Sequence, residues 1–274
     1  MIKGKKGVSF AVGILLVVIV VTVYSFYAAA SLSQKRTGEL TAPINLLNAQ
    51  AESKEALFYL EDSGKMAVYQ ASFEFLRDVP TQGSCDKLSS GEVLFDGDCK
   101  LAPPDVLEKE FLAKFQEKFS PYMVAYESTF KTMPGQSVPA SSGFSTVITK
   151  QSKDNFEFDV KEKELVAVAK EKVTYAIPPA TYNVDFSFDT PLLFSFEELE
   201  KIYQDSKNAV KSCKSYGDVE LCVESKLSSD DFIFSAKKQG ASILVITAST
   251  KEKVFFSDSG DKFGRLSFGY TFSI

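Results

Sequence analysis

From Gly7 to Gln34 the chain carries no charged residue, and Val8 to Ala30 is almost continuously apolar. As an α-helix rising about 1.5 Å per residue, a run of 23 residues reaches roughly 34 Å, enough to cross a hydrocarbon core of about 30 Å. Val17, Val18, Ile19, Val20 and Val21 are β-branched, which disfavours a helix in water and does no harm in lipid. Lys3, Lys5 and Lys6 precede the run, Lys35 and Arg36 follow it with Glu39 close behind, and Tyr24 and Tyr27 lie near its far end. The positive-inside rule and the aromatic belt then predict a cytoplasmic tail over 1–7, a transmembrane helix over 8–30 and a linker over 31–43. The expected localisation is the cell membrane, single-pass, with the bulk of the chain extracytoplasmic.

The composition beyond that run narrows the chemistry. Three of the 31 cationic residues precede it, leaving 28 against 36 acidic ones, a net of −8. This balance favours solubility and argues against a nucleic-acid partner or an anionic lipid face. The chain has no histidine, which removes Ser-His-Asp and Cys-His catalysis, His-ligated zinc and all His acid–base chemistry. Serine–lysine dyads and carboxylate sites remain. Ser-x-x-Lys occurs at places that include Ser84/Lys87, Ser128/Lys131 and Ser235/Lys238, about as often as chance supplies, and without the companion motifs of the penicillin-binding class. Glu197, Glu198 and Glu200 fit the first turn of a helix, and Asp230 and Asp231 precede a strand. Asp96-Gly97-Asp98 and Asp258-Ser259-Gly260-Asp261 have the composition of turns and miss the calcium-loop pattern. No residue is assigned a catalytic, cofactor-binding or metal-binding role, and the reading is non-enzymatic.

Cys85, Cys99, Cys213 and Cys222 all follow the apolar run. An even number outside the cytoplasm predicts disulfides, and nearness in sequence selects Cys85–Cys99 and Cys213–Cys222 over the other two connectivities. A four-thiolate metal site would need closer cysteine pairs than separations of 14 and 9 residues provide.

Periodicity predicts an α+β fold, with helices packed on antiparallel β-meanders. A helical pattern runs from Ile44 to about Leu76, with Leu57, Leu60, Gly64, Ala67, Ala71 and Phe75 on one stripe. A Gly/Asp/Ser-rich loop over 84–103 holds the first cysteine pair. A second stripe, Leu107, Phe111, Phe115, Phe119, Tyr122 and Tyr126, ends at Met133-Pro134-Gly135. Strands are expected at 144–149, 156–160, 165–169, 173–177 and 182–188. Ser195 and Glu198 form a capping box, and Phe194 and Leu199 the matching staple, for a helix followed by a shorter one at 219–227. Strands at 232–236, 243–248, 254–257 and 266–272 close the chain. Asn155-Phe156-Glu157-Phe158 is echoed by Asp231-Phe232-Ile233-Phe234, and Lys170-Glu171-Lys172-Val173 by Lys251-Glu252-Lys253-Val254. Two tandem helix-plus-meander units are expected, over 44–190 (helices plus the first meander) and 191–274 (a helical hairpin plus the second).

Lys5-Lys6-Gly7 followed by Val8-Ser9-Phe10 resembles the signal of archaeal type IV pilins, although Val12 stands where a mature pilin often has glutamate. The basic N-terminus, the single span and the segments Ala56–Leu60 and Ala67–Ala71 are similar to those of uncharacterised membrane-anchored proteins of small-genome archaea. That resemblance implies an envelope-facing role and no activity. Ala28-Ala29-Ala30 also has the small residues of a signal-peptidase site, but such signals have apolar cores of about 7–15 residues. The expected function is a structural or binding role in the envelope, with the membrane and an envelope protein as partners and no cofactor. A pilin-like filament subunit and a His-independent envelope hydrolase are the alternatives, and the oligomeric state stays open.

Overall fold

In the computed structural model, residues 46–47, 50–51, 53–88, 93–129, 153–177, 180–258 and 260–274 are described. The tail, span and linker expected over 1–43, the strand at 144–149 and the stop at Met133 lie outside the described residues. Among the described residues no helix is long and apolar enough to cross a membrane. The chain divides into one unit of residues 1–53, 133–147 and 174–182 and a second of 54–132, 148–173 and 183–274.

Helix α1 (53–77) buries Leu60, Ala67, Ala71 and Phe75 completely along the predicted stripe. Gly64 belongs to that stripe for a steric reason, since a Cβ there would run into the Phe188 ring. An interior glycine disfavours a helix by about 1 kcal/mol relative to alanine, and here it permits close approach to a strand. Helix α2 (Pro104–Thr129) starts on a proline, which suits a first turn whose amides have no helical acceptor. It fully buries Leu107, Phe111, Phe115 and Phe119. Lys118 of α2 binds Glu74 of α1 at 2.8 Å.

Between these helices lie four two-residue strands, β1 (Thr81–Gln82) just before the expected loop, and β2 (Asp86–Lys87), β3 (Val93–Leu94) and β4 (Lys100–Leu101) within it. Segments this short have no readable period. Cys85–Cys99 staples them with Cα atoms 4.8 Å apart. Gly83 takes φ +96°, where a Cβ would collide with the Asp98 carbonyl oxygen.

The first sheet contains β5 (Phe156–Lys161), β6 (Glu164–Ala169) and β9 (Ser187–Pro191), in the order β5-β6-β9. A hairpin of β7 (Val173–Ile177) and β8 (Ala180–Val184) lies between β6 and β9 in the chain. The strand expected over 182–188 is thus two strands, broken at Asp185-Phe186 where the Phe186 ring is fully buried. The second block has the same plan. Strands β10 (Phe232–Gln239), β11 (Ile243–Thr250) and β14 (Ser267–Ser273) lie in order, with a hairpin of β12 (Val254–Ser257) and β13 (Asp261–Gly264) inserted before the last. The acidic turn composition at 258–261 had concealed β13. Its sheet continues through β14 to β3, in parallel at Thr271↔Leu94, and then to β2.

The two blocks also share a register. Phe158↔Ala167 and Ala167↔Phe188 in the first correspond to Phe234↔Ala248 and Ala248↔Phe268 in the second. The amide of Lys170 donates to Asn155 O at 2.6 Å, and that of Lys251 donates to Asp231 O at 2.8 Å. Phe156/Phe232, Leu165/Ile246, Val173/Val254 and Phe186/Leu266 are buried in equivalent places.

Helix α3 (Phe196–Cys213) begins at the predicted cap. Ser195 is extended (φ −101°, ψ 157°), and its Oγ accepts the Glu198 N–H at 3.1 Å. Phe194 and Leu199 are both fully buried, as a staple requires. Helix α4 (Val219–Lys226), capped by Asp218, is joined to α3 by Cys213–Cys222 with Cα atoms 5.9 Å apart. It lies along the edge strand β10. Glu220 accepts the Lys238 amide and Glu224 the Ala236 amide, while Ser229 Oγ accepts that of Phe232. Four residues of helix rise about 6 Å and two of strand about 6.6 Å, so carboxylates at i and i+4 match alternate strand amides. The helix thereby occupies donors that an open edge would offer to another chain.

Ser195→Ala should lower stability by roughly 1 kcal/mol, measured by denaturant unfolding. Glu220→Ala with Glu224→Ala should raise hydrogen exchange at the Ala236 and Lys238 amides about tenfold or more, while the inward-bonded β11 amides stay protected.

Candidate functional site

Among the described residues, a densely connected set of polar side chains meets where the first meander, α3 and the segment leading into β10 come together. Lys161↔Glu164 is the last ladder pair of β5 and β6, so Glu162 and Lys163 form a two-residue hairpin loop. Glu162 takes φ 55°, a conformation favoured by glycine, and such local strain is held only where the surroundings require it. Beyond this turn the ammonium of Lys163 reaches Glu198 Oε2 at 3.1 Å and Asp231 Oδ2. Ser229 Oγ donates to Glu198 Oε1 at 2.8 Å and accepts the amides of Asp231 and Phe232. Lys251 Nζ donates to the Ser229 carbonyl at 3.1 Å.

A hollow of about 430 Å³ flanks this network on one side, lined by Glu198, Lys201, Asp205 and residues 228–231. A second hollow of about 430 Å³ lies on the other, between Tyr69, residues 191–193 and residues 250–252. Lys163, Asp230 and Asp231 line both.

One member of each acidic group, Glu198 and Asp231, separate in the sequence, is therefore brought to the other by Lys163. The capping box is half formed. Its serine caps the helix, but the Glu198 carboxylate turns to Lys163 and Ser229, because an ammonium and a hydroxyl outweigh one backbone amide as partners. Of the Ser-x-x-Lys candidates, one is described at both side chains, and it does not assemble. Ser235 and Lys238 lie three apart on β10, on opposite faces of the strand. Ser84 is in an exposed bend before β2, and Lys131 lies outside the described residues. Asp96 accepts the Gly97 amide and the Ser273 hydroxyl, and Asp258 pairs with Lys262 at 2.7 Å. Among the described residues no three acidic or thiol side chains group as a metal site. Cys85, Cys99, Cys213 and Cys222 form the two predicted bridges. Lys163 and Ser229 were missed because a Lys/Glu-rich turn and a Ser-Ser-Asp-Asp loop read as solvated connections.

Burial pulls the Lys163 pKa down, but the hydrogen bonds to Asp231 and Glu198 outweigh it and leave it raised. The Lys163 hydrogen bond holds Asp231 below the usual carboxylate range. Asp231 thus adds stability above its unfolded value of about 3.9, lost as pH falls through the lowered folded value. Lys163 adds stability below its unfolded value of about 10.4, lost as pH rises through the raised one. Both contributions are complete between about pH 5 and pH 9.

Compared with family models, with curated proteins and with solved structures, the chain matches none.

Lys163→Met should lower stability at pH 7 by roughly 1–2 kcal/mol, because Glu198 and Asp231 would lose their common cation. Unfolding curves at pH 7 and in acid check this: the deficit should shrink as pH falls through the lowered Asp231 value, where the Asp231–Lys163 pair is lost.

Proposed function

We propose that this chain is a single-span membrane protein whose extracytoplasmic α+β part binds a protein or other surface component of the envelope and catalyses no reaction. The two disulfides carry the reading, because bridges of this kind persist in oxidising compartments. They support an exported domain, and the uncharged run over 8–30 supports its anchor.

The polar cleft suits recognition better than catalysis. Lys163 is committed to two carboxylates, and Ser229 is committed to one carboxylate and two backbone amides, so neither is poised as a nucleophile or base. Five acidic and three lysine side chains line the two hollows, an excess that favours a cationic group on the ligand. The common register of the two meanders favours tandem units of one design, each a helix set carrying a disulfide followed by a three-stranded meander.

Protease added to intact cells should remove residues beyond about 35, and mass spectrometry of the protected fragment should find a chain starting near Met1. Full protection of the C-terminal residues on accessible cells overturns the exported reading. A mature chain starting at Val8 instead supports the pilin-like alternative.

A further inference from the structure

The inner face of the β12–β13 hairpin is fastened to α1. Phe256 stacks on Phe73 with centroids 4.4 Å apart. The Gln70 amide group exchanges two hydrogen bonds with the Ser257 backbone, at 2.7 and 3.1 Å. Asp258, at the turn, lies 3.9 Å from Arg77. Strand alternation then turns Phe255 and Phe263 outward. They are 55% and 59% exposed, directly opposite in register, with centroids 4.8 Å apart. Exposed Ser257 and Asp261 stand at one end of this outer face, and exposed Lys253 and Arg265 each lie one residue beyond the last pair, Val254↔Gly264, at the other end, where Arg265 Nε also donates to the Lys251 carbonyl at 3.4 Å. A rigid pair of rings thus lies between a cationic end and an anionic end.

We propose that this face is an isologous contact between two copies of the chain. A two-fold axis between facing hairpins, perpendicular to their strands, sets Phe255 against Phe255 and Phe263 against Phe263. The same rotation reverses one hairpin end for end, so Arg265 of each copy meets Asp261 of the other, the reciprocal contact that two-fold symmetry requires. Within one chain these residues are separated by four strand steps, about 13 Å, too far to pair. Among the described residues neither forms an ion pair within its own chain. Charge complementarity therefore selects a second copy. An anionic lipid surface would attract the cationic end but repel Asp261, and the acidic balance beyond the apolar run opposes it further. The face of one short hairpin belongs with interfaces below about 1,200 Å² in total, which are weak and reversible.

The test uses the full-length chain, co-expressed with two different tags and carrying Phe263→p-benzoylphenylalanine. Irradiation should yield a product of twice the chain's mass that contains both tags and is cross-linked through position 263. Arg265→Asp or Asp261→Arg alone should reduce that product at least fivefold, and the two together should restore it. Peptide mapping of both disulfides monitors folding, and recovery in the double variant separates lost pairing from lost structure. A product bearing only lipid or another protein, single reversals without effect, or a double variant that stays low would each overturn the proposal.

Discussion

Phe75, near the end of α1, holds the helices and the α3 entry together. Its ring meets Phe111 of α2 edge-on at 5.8 Å, stacks on Phe194 at 6.0 Å and meets Phe196 edge-on at 5.9 Å. Phe194 and Phe196 flank Ser195, so the same packing fixes where α3 begins. Such pairs contribute about 0.5–1.5 kcal/mol each beyond the area they bury, and only in offset or edge-on geometries. With 24 phenylalanines and no tryptophan, the chain repeats this interaction among the buried leucines, valines and alanines of its interior. A second group joins Phe115 and Phe119 of α2 to Phe156, Phe158 and Phe188 of the first sheet. A third joins Phe95, Tyr203, Tyr270 and Phe272 around the second.

Within that apolar frame, several polar groups find partners on segments distant in sequence. Tyr203 donates to the Cys99 carbonyl and Tyr270 to that of Leu199, so the hydroxyls of two fully buried rings escape the penalty of an unpaired donor. The carboxylates of α4 complete the β10 edge in the same way. At Lys163 the arrangement goes further, because one ammonium joins a hairpin turn, a helix start and a strand entry. A cation between two carboxylates gives the cleft a defined shape while leaving a surplus of negative charge in its walls.

Much of this organisation was legible in the chain. Leu107, Phe111, Phe115 and Phe119 repeat at a step of four, and a stripe of that width can only face inward. Ser195 with Glu198 marked a helix start, because few other residues can satisfy first-turn amides. Cysteines 14 and 9 residues apart made local bridges the shortest solution. Less legible were the features set by distant neighbours. Tyr182 to Phe188 reads as one strand, yet burial of Phe186 breaks it, and β3 is too short to have a period. The cleft depends on Lys163, Glu198, Ser229 and Asp231, which lie up to 68 residues apart.

By itself, then, the sequence determined local matters: where most of the longer helices and strands lie, where α3 starts, which cysteines pair, and that histidine chemistry is excluded. These follow from spacing along the chain, over which propensity, capping and loop closure act. Tertiary structure alone decided which way Glu198 turns, why Gly64 must lack a side chain, and that α4 covers a strand edge. It also decided that two phenylalanines of β12 and β13 face outward while a third, Phe256, packs inward on α1. Each of these depends on a partner far away in sequence, and the free energy of a contact is set by distance in space, which residue order leaves open.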